Sequence, residues 1–349
     1  MPGAEVTPTE ATMWQVEDDR LYFAHPRKVV WWQVPAGFKM PHPALLALAE
    51  HLLLSGLGES GSIGSAGSAR PFGSKVGLAY SGGCDSTAAY FLLPKPVAMY
   101  THVANPSRLH RVDNALLALK EVGGVSVLTN SDELAGAFGK KHGFYGSGAF
   151  MVTAILFADH YDFGTVADGN VLETLYLYGA GGHGTKFKVR DLSGLQRRFE
   201  AAGLYYCAPC AGMSEVLTTR IAQKNVYAMG CMRGVAGKPC NDCMKCYRKN
   251  ALQGHAIPPC RESELKLSKD IISMLPSLLW SVKAGTLSHP VLDRIDKDIS
   301  WVDKWYDDSI NYIPEHLRPH FMTKLEEYGI EALGDDAALK AWVSDSVGP

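Results

Sequence analysis

Seven consecutive residues, Ser81-Gly82-Gly83-Cys84-Asp85-Ser86-Thr87, combine two glycines, three hydroxyls and a carboxylate directly after the apolar run KVGLAY and directly before a helical run. Glycines let a backbone approach an anion, hydroxyls donate to it, and a helix start supplies unpaired N–H groups and the positive end of a dipole. The pattern is that of a phosphate cradle. It has neither the lysine and long glycine spacing of a Walker loop nor the three glycines of a dinucleotide fingerprint. The plain alternative is a Gly-Gly turn capped by Asp85 or Ser86. Cys84 takes no chemical role.

A second set is Cys231-x8-Cys240-x2-Cys243-x2-Cys246. Four thiolates are what a closed tetrahedral zinc site requires, and two-residue gaps let one loop and a helical turn wrap the ion. An iron–sulfur cluster uses the same number of thiolates; zinc is favoured because a compact set leaves no open position. Among the other cysteines, Cys207-x2-Cys210 reads as a redox pair or as two ordinary loop thiols, and Cys260 as packing. A lone histidine such as His102 reads as a satisfied polar side chain.

These residues need elements to hold them. From Lys75 short apolar runs alternate with helical stretches: KVGLAY, PVAMYTHV, VSVLT and FGTVAD as strands, with helices over 85–93, 109–122, within 132–161 and over 171–178. That rhythm predicts an α/β fold with a parallel sheet covered on both faces, ligands lying at the carboxyl ends of its strands. Asp168-Gly169-Asn170 falls at such an end, and Asp168 is a candidate contact for substrate or magnesium, or a turn residue. The run GAGGHGTKFKVRD offers a glycine-rich loop with His183, Lys186, Lys188 and Arg190, where Lys186 is a candidate partner for a carboxylate or phosphate. Residues 1–74 form an N-terminal extension with strands over 21–24 and 28–34, a helix over 43–55 and a Gly/Ser-rich linker over 56–74. Residues 75–260 form the core, and 261–349 a helical C-terminal subdomain with helices over 264–283, 291–306, 314–328 and 335–344, its interior built on Trp280, Trp301, Trp305 and Trp342.

Composition sets outer limits. The 349 residues are 46% hydrophobic and 20% charged, with 34 basic and 36 acidic side chains and a formal charge of −2. This is ordinary globular composition and excludes collagen, a disordered chain and a disulfide-stapled miniprotein. The charge balance offers no general attraction to nucleic acid. The first twenty residues lack a basic start and apolar run, and the best apolar stretch, 44–54, is far short of the ~20 residues of a membrane helix. A cytoplasmic protein without membrane partners is the expectation.

Ser-Gly-Gly-x-Asp-Ser after a strand resembles the PP-loop of the N-type ATP pyrophosphatases. Followed by Cys-x8-Cys-x2-Cys-x2-Cys and then Arg248, with Lys249 beside it, the order resembles the 7-cyano-7-deazaguanine synthase family. The segment YTHVANPSRLHRVDNALLAL, with Arg108, His110, Arg111 and Asp113, is similar to that family's region after its second strand. The resemblance covers about residues 75–255; the family's substrate run before the zinc site has no counterpart here. It implies a five-stranded parallel sheet of the PP-loop type with a zinc knuckle, and ATP cleaved between its α and β phosphates. Ser81, Gly82, Gly83, Asp85, Ser86 and Thr87 would hold pyrophosphate with Mg2+ nearby, joined by His110 and Asp168; Ser81, Asp85 and Lys186 are the catalytic candidates. The implied reaction is adenylation of a carboxylic acid, with 7-carboxy-7-deazaguanine as the sharp version, then attack by ammonia or an amine to give an amide or nitrile. Open alternatives are a ligase using another amine or a protein acceptor, a tRNA-thiolating enzyme, and a non-catalytic nucleotide sensor. A homodimer is a further option.

Overall fold

The structure is a computed structural model, and it describes residues 14–58, 69–104, 111–140, 146–177, 192–228, 231, 233–257 and 274–344. Eight strands form one sheet: β1 (Trp14–Glu17), β2 (Arg20–His25), β3 (Lys28–Gln33), β4 (Lys75–Ala79), β5 (Val97–Val103), β6 (Val125–Thr129), β7 (Phe163–Ala167) and β8 (Tyr205–Cys207). Their order is β1-β2-β3-β6-β5-β4-β7-β8. The helices are α1 (Pro43–Ser55), α2 (Cys84–Leu92), α3 (Asp113–Glu121), α4 (Asp132–Ala137), α5 (Val152–Leu156), α6 (Ala158–Tyr161), α7 (Ser193–Ala201), α8 (Glu215–Ala222), α9 (Met244–Gln253), α10 (Leu275–Lys283), α11 (Arg318–Glu327) and α12 (Ala337–Ser344).

The expected five-stranded parallel sheet is therefore wrong: the sheet is eight-stranded and mixed. Strands β4 to β8 run parallel to one another, but the N-terminal segment joins them as an antiparallel meander. Backbone pairing of β3 with β6 is limited to Trp32 opposite Thr129. Side chains complete that joint. Asn130 accepts from the Trp31 amide at 2.8 Å and donates to the Val29 carbonyl at 3.3 Å, and the Thr129 hydroxyl donates to the Trp31 carbonyl at 2.6 Å. Trp14, Phe23 and Trp32 are buried on one face of the meander, which alternates inward and outward as a half-buried sheet must.

Strand β7, between β4 and β8, is buried along its whole length, as a strand covered on both faces must be. On one face α1 packs against α5 and buries Leu45, Leu48 and Leu52. On the other, α2 lies against α8; the small side chains Ala88 and Ala89 of α2 are fully buried at that face. The parallel strand order turns at β4, since β5 and β6 lie to one side and β7 and β8 to the other. Such a reversal opens a crevice above the strand ends.

The C-terminal stretch also departs from expectation. Residues 291–306 hold a single 3-10 turn at Leu292–Arg294 instead of a helix, and the chain from 305 onward is stitched to the sheet. The Tyr306 amide donates to Gly212 and the Ala208 amide to Tyr312, at 2.9 and 3.0 Å. Trp305, Leu317 and Phe321 share one core with residues of β4, α2 and α8. The C-terminal residues are thus part of the main body's packing, not an all-helical unit beside it. Among the described residues, no helix is long and apolar enough to cross a membrane.

Candidate functional site

The loop after β4 is a tight connection into α2. Gly82 has φ +71°, and a Cβ there would lie 2.6 Å from the Ala115 Cα, so the position demands glycine for both conformation and space. Gly83 is the N-cap of α2 with extended backbone and no side-chain cap, which leaves the first amides of the helix for an external acceptor. Ser81 and Ser86 hold the loop in shape. The Ser81 amide donates to the Ser86 hydroxyl at 3.1 Å, the two hydroxyls are 3.1 Å apart, and the Ser86 hydroxyl donates to the Gly83 carbonyl at 3.2 Å. Thr87 is fully buried and its hydroxyl is 2.9 Å from that of Tyr80, so it braces the loop from beneath.

The loop forms one wall of a cavity of about 510 Å3. Basic side chains come to that cavity from two directions: Arg111 at the start of α3, and Lys245, Arg248 and Lys249 on α9. Apolar and aromatic lining is supplied by Met99, Tyr100, Phe150 and Tyr227. The lining thus combines anion-binding groups with apolar and aromatic surface.

Arg248 and Lys249 are held by carboxylates that the sequence reading missed. An Arg248 Nη1 donates to Glu215 Oε1 at 3.0 Å, and Lys249 Nζ lies 3.5 Å from Glu215 Oε2 and 3.9 Å from Asp85 Oδ1. Lys249 also donates to the Thr219 hydroxyl at 2.8 Å. Asp85 accepts from the Thr218 hydroxyl at 2.7 Å. Desolvation raises Glu215, but Lys249 and then Arg248 outweigh it and hold the carboxyl below its ordinary range. Lys249 is pushed well above the ordinary lysine range: burial opposes the charge, and the nearby Cys84, Glu215 and Asp85 overcome it. Behind them lies Glu173, in a π-helical turn over Glu173–Leu177, which accepts from the Glu215 amide at 2.9 Å. Single carboxylates without a motif around them carry no sequence signal. The weak sign was Ser214, whose hydroxyl caps α8 by accepting from Val216 and Leu217 and thereby fixes Glu215 at the helix start.

Asp168, fully buried at the end of β7, makes the turn. It accepts from the Asn170 amide at 2.9 Å, from the Asn170 side chain at 2.6 Å and from the Tyr206 hydroxyl at 2.9 Å. Gly169 and Asn170 face the cavity in its place. A Cβ on Gly169 would lie 2.6 Å from the Ser86 amide nitrogen, so this turn presses directly on the start of α2.

The four cysteines converge. Their sulfur atoms all lie within 4.8 Å of one another, with Cys240 and Cys243 at 3.7 and 3.5 Å from Cys246. Tetrahedral zinc with bonds of about 2.3 Å would space its sulfurs about 3.8 Å apart, so the set could hold a metal such as zinc. Backbone amides of Cys240, Asp242 and Cys246 point at sulfurs of Cys231, Cys240 and Cys243 at 3.4 to 3.5 Å, contacts that favour thiolates. Positive φ at Ala236, Gly237 and Asn241 folds the chain back to bring the ligands together. Cys243 is also the N-cap of α9, the helix that carries Arg248 and Lys249. Cys231 itself borders the cavity.

Other sequence candidates fall as follows. Arg111 lines the cavity and pairs with Asp113 at 3.2 Å. Cys207 and Cys210 are fully buried, and burial raises both thiols far from the thiolate form, which does not suit a redox pair. His102 sits half-buried on β5, its imidazolium disfavoured by desolvation. Arg108, His110, His183, Lys186, Lys188, Arg190 and Cys260 lie outside the described residues.

A model of a family of unknown function (DUF6395) matches residues 194–266, less than half the chain. That span contains Glu215, all four clustered cysteines, Arg248 and Lys249. Comparisons with curated proteins and with solved structures return no match.

Proposed function

We propose that the cavity binds ATP and that the chain transfers AMP to a carboxylic acid, releasing pyrophosphate, with an amine or ammonia then displacing AMP to form an amide. The observation that carries this reading is the Ser81-Gly82-Gly83 loop, its uncapped helix start opening on a cavity whose walls hold Arg111, Lys245, Arg248 and Lys249. A carboxylate oxygen attacks the α-phosphorus while the bond to the bridging oxygen of the pyrophosphate breaks. The amine nitrogen then attacks the acyl carbon and AMP leaves, the amine proton passing to solvent. The chain's part is positioning and charge compensation: loop amides and hydroxyls face the leaving pyrophosphate, and the cations of α9 offset its charge. Magnesium bound with ATP would add further neutralisation. Asp85 and Asn170 line the cavity and carry oxygen donors, the type such an ion takes, and would hold it. Zinc in the four-cysteine set would brace the N-terminus of α9.

The acid proposed first is 7-carboxy-7-deazaguanine, with the aromatic lining as its stacking surface; other acids and protein amines are the broader form. Incubation with ATP, Mg2+, ammonium and this acid, followed by mass spectrometry, tests it. AMP with an amide or nitrile product is the expected result. AMP with a different adduct would move the reaction to another acceptor, and no binding of ATP in a calorimetric titration would refute the reading.

A further inference from the structure

We propose that Glu173 holds a proton that it shares with Glu215, and that this shared proton keeps Arg248 and Lys249 directed at the cavity, making Glu173 a positioning residue for anion capture. The proposal rests on the reading above for the identity of the anion.

Glu173 is 3% exposed. One of its oxygens accepts from the Glu215 amide, and the other, Oε2, is buried without a hydrogen-bond partner among the described residues. Glu215 presents the same pattern: Oε1 accepts from Arg248, whereas Oε2 is buried without a hydrogen bond, 3.5 Å from Lys249 Nζ. Two neighbouring carboxyl groups, each with one buried oxygen that accepts no hydrogen bond, are expensive as two anions. They are satisfied together if one carries a proton and donates it to the other.

The acids around Glu173 are Glu215 on α8 and Asp85 on α2, and the cations around Glu215 are Lys249, Arg248 and Lys245 on α9. The ion pairs of this cluster end on Glu215 and Asp85 and, among the described residues, none reaches Glu173, so a charge on Glu173 would have no direct counter-ion. Burial, and then the Glu215 carboxylate, push Glu173 up to about 8. The π-helical turn places it there. Glu173–Leu177 begins three residues after Asn170 of the turn that presses on α2, so one short segment touches both the phosphate loop and the cation holder. An ionised Glu173 would repel Glu215 and add negative charge beside the cations, lowering affinity for an anion in the cavity.

The test uses the full-length, metal-loaded protein and two variants. Infrared spectra of the wild type at pH 7 are expected to show a protonated-carboxyl band that titrates away near pH 8 and is missing in Glu173→Gln. Calorimetric titration with ATP is expected to show wild-type affinity falling about tenfold between pH 7 and 9. Glu173→Gln, whose amide donates to Glu215 at every pH, keeps near wild-type affinity at pH 7 without that fall. Glu173→Met, similar in length but unable to donate, binds ATP more weakly than the Gln variant. Absence of the band, an alkaline fall retained in Glu173→Gln, or equal affinity of the Gln and Met variants overturns the proposal. If the band behaves as expected but none of the three proteins binds ATP, the nucleotide reading fails and the shared proton stands.

Discussion

Replacing Gly169 with alanine tests whether the turn after β7 sets the position of the phosphate loop. The added Cβ would stand 2.6 Å from the Ser86 nitrogen and 2.8 Å from the Asp85 carbonyl carbon and the Ser86 Cα, all backbone atoms. Ordinary contact begins at 3.4 Å, so turn and helix start must separate by about 0.8 Å. A hydrogen bond of about 2.9 Å lengthened by that much is no longer a hydrogen bond. Losing one such bond to a charged phosphate costs about 1.5–3 kcal/mol, or roughly 10- to 100-fold in ATP affinity. Overpacking at this contact adds a stability cost of about 1–3 kcal/mol. The control is Gly136→Ala in α4, where a Cβ meets nothing within 4 Å. It is expected to be neutral or stabilising by up to about 1 kcal/mol. Denaturant unfolding gives the stabilities and calorimetric titration the affinities. A Gly169→Ala protein that matches the wild type in both would show that this turn does not set the loop, and would refute the reasoning.

Three further outcomes are expected. Cys243→Ser should lose the bound metal, measured by elemental analysis, and lower the unfolding midpoint, because Cys243 is both a candidate ligand and the cap of α9; full metal content in the variant would count against the site. Asp168→Ala leaves the Asn170 amide and the buried Tyr206 hydroxyl without their acceptor and should cost about 2–4 kcal/mol in denaturant unfolding; a change under half a kcal/mol would not fit. Glu173 takes up its proton more readily folded than at its ordinary 4.5, so its contribution is full below about pH 4.5 and is lost as pH rises through about 8. The stability lead of Glu173→Gln over the wild type should therefore widen between those values and flatten above them; a lead independent of pH would contradict it.

What was readable in the sequence was local. Ser81 to Ser86 and the four cysteines announce themselves because their chemistry depends on spacing along a few residues. The strands over 21–24 and 28–34 and the helix over 43–55 were likewise visible from periodicity, and appear at Arg20–His25, Lys28–Gln33 and Pro43–Ser55. What failed was long-range. Nothing near residue 30 says that β3 will lie beside β6, because that joint is made by Thr129 and Asn130, about a hundred residues away. The role of Glu215 depends on Arg248 and that of Glu173 on Glu215, partners 33 and 42 positions distant. Tryptophans 301 and 305 suggested a helical core, yet their burial comes from packing onto the body of the fold, Trp305 in one core with residues of β4, α2 and α8.

The meander has a consequence for the protein's behaviour at high concentration. Without β1 to β3, β6 would be a terminal strand of a parallel sheet with its backbone N–H and C=O groups open to any passing chain. With the meander in place the outermost strands are β1, four residues, and β8, three residues, both too short to template much pairing. The segment that adds nothing to the cavity thus acts as a guard against edge-to-edge assembly. A shortened chain lacking residues 14–34 should self-associate in light scattering even where its phosphate loop is intact.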